Sequence, residues 1–152
     1  MFRSLKILQL ERDISKFKGL KPKLPSSTQL EMDIVNGVKN LGCVIGGSYA
    51  LRAYKPYYTA KDIDIVCQRK KEYADRLVQI LNKKYPNRFY AHKSFNVYRI
   101  YDSHRGVYVV DVATYPITSN DYTIVNGVKV AKPSYVIRGK IRREKTYRSK
   151  FW

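Results

Sequence analysis

The stretch Val44 to Val66, VIGGSYALRAYKPYYTAKDIDIV, constrains this chain more than any other. A short apolar run enters a Gly46-Gly47-Ser48 turn, and a second apolar run carries Asp62 and Asp64 at alternate positions. In a strand, residues i and i+2 point to one face, so the two carboxylates stand side by side while Ile63 and Ile65 turn toward a core. Paired acids on an exposed edge suit divalent cations, and a glycine turn that opens a helix presents backbone N–H groups to a phosphate.

The flanking sequence supplies the rest of a fold. Thr28-Gln29-Leu30-Glu31 has the form of a capping box, and Leu30, Ile34, Val38 and Leu41 follow at helical intervals up to a stop at Gly42. Cys43-Val44-Ile45 reads as a buried strand, Tyr49 to Tyr54 as a short helix ended by Pro56, and Asp62 to Cys67 as the next strand. A helix over about Lys71 to Tyr85 repeats Tyr73, Leu77 and Leu81 on one side. From Arg88 the period changes to two: Phe89–Ala91, Val97–Tyr101 and Val107–Ala113 read as strands, the last two joined by a hairpin loop at 102–106. Tyr122–Val125 and Val128–Val130 flank Asn126-Gly127, the strongest short hairpin signal. Pro133 starts a final helix through about Arg143. The order predicts an α/β (α+β) class, a mixed β-sheet with helices packed on it in a single domain. Residues 1–25 read as a basic extension, 26–145 as the domain and 146–152 as a basic tail.

A third acid decides whether Asp62 and Asp64 are more than surface charges. Asp111 is the one charge in the apolar run Val107 to Ala113, and a lone carboxylate there is costly unless paired, metal-bound or turned outward. If this strand lies beside the one carrying Asp62 and Asp64, three carboxylates meet, and bound Mg²⁺ relieves their repulsion. The plainer alternative has Asp62 starting a strand, Asp64 in solvent and Asp111 paired with a nearby cation.

With these residues the sequence resembles the polymerase-β-like nucleotidyltransferase superfamily, in its minimal single-domain form. The signature of that family is an apolar strand, Gly-Gly or Gly-Ser, a spacer, Asp-apolar-Asp, and a third acid on a later strand. Here those are Val44-Ile45-Gly46-Gly47-Ser48, thirteen intervening residues, Asp62-Ile63-Asp64, and Asp111. The resemblance spans about Thr28 to Lys145. It implies a palm-like mixed sheet, a nucleoside triphosphate, two Mg²⁺ or Mn²⁺ ions, and transfer of a nucleoside monophosphate to a hydroxyl. It assigns the triphosphate to the turn of Gly46, Gly47 and Ser48, the shared metals to Asp62 and Asp64, and the catalytic metal and acceptor hydroxyl to Asp111. Leu51 and Lys61 stand where many members carry Arg and Ser, which leaves Arg52 and Lys61 as the candidate phosphate cations.

The net charge of +18 and the 14 tyrosines favour a polyanionic partner that offers bases to stack, which puts nucleic acid first, RNA ahead of DNA. Residues 129–152 hold nine basic side chains and one acid; Arg138, Lys140, Arg142 and Arg143 are expected at the triphosphate or the acceptor backbone, or else on a solvated helix face. Tyr54, Tyr57 and Tyr58 in the spacer either stack on a base or close over the core edge. His92 and His104 have no partner at metal spacing and receive no role. Cys43 and Cys67 read as free, buried thiols, and with no membrane span or signal-peptide core the expected location is cytoplasmic, intracellular and reducing. Two rival readings are a toxin-like nucleotidyltransferase acting on a protein or small molecule, and a non-catalytic nucleic-acid-binding protein that kept the fold.

Overall fold

A computed structural model describes residues 5–25 and 27–151, with side chains through residue 146. The elements run α1 (Leu5–Lys16), α2 (Gln29–Leu41), β1 (Val44–Gly46), α3 (Gly47–Tyr54), β2 (Ile63–Val66), α4 (Lys70–Lys84), β3 (Phe89–Ser94), β4 (Val97–Asp102) and β5 (Val107–Ala113). A 3₁₀ turn (Ser119–Asp121), β6 (Tyr122–Val125), β7 (Val128–Ala131) and α5 (Pro133–Phe151) complete the chain. The seven strands form one mixed sheet in the order β3-β4-β5-β2-β1-β7-β6. Pairings β1–β7 and β2–β5 are parallel and the rest antiparallel. The α/β expectation holds.

Local chemistry sets the element ends. The Thr28 hydroxyl accepts the Glu31 N–H at 3.2 Å, and Gly42 closes α2 at φ 71°, a left-handed conformation that glycine adopts without a Cβ clash. Asn126 and Gly127 both have positive φ, as a two-residue hairpin of the primed type needs. Helix α5 runs past the expected stop near Arg143, because α1 packs along it and Lys6 pairs with Glu144 at 3.5 Å. The expected tail at 146–152 is therefore, through Phe151, the end of α5, and Trp152 lies outside the described residues.

Alternation along the strands divides the sheet into two faces. Ile63, Ile65, Ile100, Val110 and Val112 are buried, together with Phe89, on the back, where α4 packs on β3, β4 and β5 and α2 lies beside α4. Asp33 ties the two helices together, accepting from Tyr85 and pairing with Lys84 at 3.0 Å. On the other side α3 packs on β1, β2 and β7, α5 packs against α3, and α1 covers α5. Phe17, buried just beyond α1, contacts the rings of Tyr54 and Tyr58, whose spacer thus closes over the core edge.

Cys43 and Cys67 are not free thiols: they form a disulfide. The antiparallel register of β1 and β2 pairs Val44 with Val66, which sets the cysteines one position further out opposite each other, with Cα atoms 4.8 Å apart. Among the described residues no helix is long and apolar enough to cross a membrane.

Candidate active site

Strand register assembles the acids. β2 and β5 are parallel neighbours with Asp64 opposite Asp111, and Asp62, two residues earlier, shares their face. Each of the three offers an oxygen within 4.8 Å of the others. On the opposite flank β1 places Gly46 beside Asp64. Gly47 follows at φ 57°, and a Cβ built there would stand 2.0 Å from Asp64 Oδ2. The glycine turn and the acids therefore touch: the space a side chain would fill at residue 47 is taken by the Asp64 carboxylate.

The electrostatics are those of a crowded anionic site. Burial, reinforced by the charges of Asp62 and Asp111, pushes the Asp64 carboxyl up to about 6, against a smaller opposing pull from Arg143 and Lys140. Asp62 is raised by burial, by the Asp111 charge and by a shared hydrogen bond with Asp111, while Arg99 opposes the shift. Three carboxylates offering oxygen donors close together fit a hard divalent cation.

Beside the acids lies a cleft of about 1030 Å³, lined by Gly46, Gly47, Asp64 and Asp111 together with Tyr115, Tyr135, Arg142 and Arg143. The α5 cations separate accordingly. Arg142 and Arg143 line the cleft, and Lys140 feels the charge of Asp64 while burial and Arg143 depress its pKa. Arg138 turns away to Asp121, 3.6 Å distant, and donates to the Ser134 carbonyl. Arg52 faces Glu31 of α2 at 3.9 Å, outside the cleft lining. Lys61 is exposed, one residue before Asp62, and Ser48 is half-buried in the first turn of α3.

Arg99 escaped the sequence reading. From β4 its Nε donates to Asp111 Oδ1 at 2.9 Å, its Nη2 lies 3.7 Å from Asp62 Oδ2, and its guanidinium sits 4.0 Å over the Tyr108 ring. The signal that could have found it is pairing across the 102–106 hairpin, but a bulge between Ile100 and Tyr101 shifts that register by one.

Compared with solved structures, the chain is similar to the Megavirus polyadenylate synthase, with a TM-score of 0.56 over 88% of its length and 15% sequence identity. The fold resembles that of a nucleotidyltransferase. The chain spans 29% of the length of that viral protein, and the likeness is one of fold. No family model matches the sequence, and no curated protein does.

Proposed function

We propose that the protein is a metal-dependent nucleotidyltransferase that moves a nucleoside monophosphate from a nucleoside triphosphate to a hydroxyl of a nucleic acid. One observation carries this reading: three carboxylates from adjacent parallel strands converge beside a glycine turn that has room for them because residue 47 lacks a side chain. Asp62, Asp64 and Asp111 would hold Mg²⁺ or Mn²⁺, two ions in the full reaction. Such ions supply charge to the reacting phosphate and lower the pKa of the attacking hydroxyl. Gly46, Gly47 and Ser48 receive the triphosphate against backbone N–H groups, and Arg142, Arg143 and Lys140 neutralise it from α5. Asp111, oriented by Arg99, takes the acceptor proton. Polyadenylate, named for the structural neighbour, is a polyribonucleotide, which favours RNA as the acceptor.

Incubation with α-labelled nucleoside triphosphates, Mg²⁺ or Mn²⁺, and pools of RNA, DNA and protein tests the reading. Label is expected in nucleic acid and absent with Asp64→Asn. Label on protein would favour a toxin-like transferase instead, and nucleic-acid binding with no label anywhere would mark a non-catalytic binder.

A further inference from the structure

The acids lie between two different surfaces. The cleft extends from Asp111 toward the end of β5, past Ala113 to Tyr115. Toward the start of β5 the same face of the sheet carries Tyr108, Tyr101, His92 and Tyr90. The bulge in β4–β5 creates this arrangement. Tyr101 pairs with Tyr108 and Arg99 with Asp111, so both tyrosines stand on the face of the acids. The rings form a connected group. Tyr101 and Tyr108 are 5.3 Å apart, and His92 lies 6.3 Å from each. Every one of these contacts is edge-to-face, at 66° to 85°. Tyr90, next along β3, is 48% exposed, and His92 is exposed as well. The helix packed on β3 and β4 is α4, which takes their back face, so on the front Tyr90 and His92 are exposed and Tyr101 and Tyr108 are half-buried.

Resting on the reading given above, we infer that this aromatic face is the docking surface for the acceptor, and that the acceptor is single-stranded nucleic acid. Two observations select that occupant. Exposed and half-exposed rings interleaved with a cation offer stacking to bases, and only unpaired bases expose their faces to it. The surface is also continuous with the reacting centre: Arg99 bonds Asp111 on one side and covers Tyr108 on the other, in a protein whose charge of +18 complements a polyanion. A strand laid along His92, Tyr101 and Tyr108 brings its terminal hydroxyl to Asp111 from the side opposite the cleft. The two substrates thus reach the acids from opposite ends of β5.

The test is the anisotropy of short labelled single strands and matching duplexes, without nucleotide or divalent cation. It uses wild type, Tyr101→Ala, His92→Ala and Tyr101→Phe. None of these side chains contacts Arg99 in its ring or ion-pair contacts. Each alanine variant is expected to bind single strands about tenfold more weakly, with duplex affinity and the salt dependence unchanged, because a ring is lost and no phosphate contact. Tyr101→Phe, which keeps the ring, should bind as wild type. Should Tyr101→Ala fail to fold, the exposed His92 carries the same test. Wild-type single-strand affinity in the alanine variants, or equal losses on duplex and single strand, would overturn the inference. Because this assay involves no chemistry, an inactive enzyme would leave its result standing; conversely, active transfer with an unchanged acceptor KM in Tyr101→Ala would refute the docking surface and leave the reaction intact.

Discussion

Residue 47 has no room for a methyl group. Gly47→Ala would impose a left-handed φ of 57° on alanine and drive its Cβ to within 2.0 Å of Asp64 Oδ2, so the carboxylate must move. A displacement of about 1 Å at a reacting centre costs on the order of 100-fold in rate, and steady-state kinetics on the folded variant should show a loss of that size. A near-normal rate would separate the turn from the site. Asp64 itself supplies a pH signature. Its carboxyl is raised from 3.8 to about 6, so its protonated form is favoured by folding. That contribution to stability is complete below pH 3.8 and is lost as pH rises through about 6. In a chelator, melting temperatures of wild type should fall relative to Asp64→Asn across this window, and Mg²⁺ should reverse the loss by binding the ionised form. Parallel curves would contradict the anionic crowding. These residues were legible in the sequence because acids in apolar strands and paired glycines before a helix are chemically conspicuous. Arg52 was a different matter. A helix turns about 100° per residue, and neighbours in sequence said nothing of which side of α3 would meet Glu31.

Strands and helices were largely readable from periodicity, whereas their register was not. Counted from the hairpin, where Asp102 pairs with Val107 and Tyr101 with Tyr108, a regular ladder would set Asp111 opposite Tyr98. A slip of one residue exchanges the two faces of a strand, so the bulge alone decides that Arg99 meets Asp111. The same hairpin hides a second feature. Asp102 reads as a loop residue, yet it ends β4 fully buried, held by Arg88 through two bonds of 2.8 Å and by the N–H groups of His104 and Arg105. Arg88 keeps its carboxyl below the usual range. Arg88→Ala strands a buried charge and is expected to cost about 3–5 kcal/mol in denaturant unfolding, with much of the loss recovered by adding Asp102→Leu. A cost below about 1 kcal/mol would show that water reaches the carboxylate.

At the scale of the molecule, the charge of +18 raised the expectation of a polyanionic partner without showing where it would lie. The fold distributes it, sending Arg142 and Arg143 to the cleft and Arg138 and Arg52 to structural pairs. Sequence position could not reveal the disulfide, since Cys43 and Cys67 are separated by 24 residues and meet only through the β1–β2 register. The joined thiols take away the free-cysteine part of the argument for a reducing compartment. The proposed function reduces to one bond: attack at the α-phosphate, with pyrophosphate leaving. The most direct measurement follows pyrophosphate release beside nucleotide incorporation in one reaction with Mg²⁺, triphosphate and single-stranded RNA. Equimolar pyrophosphate and incorporated nucleotide, both abolished by Asp62→Asn or Asp111→Asn, are the expected result. Release of inorganic phosphate instead, or pyrophosphate and incorporation that persist in those variants, would contradict the assignment of nucleotidyl transfer to this site.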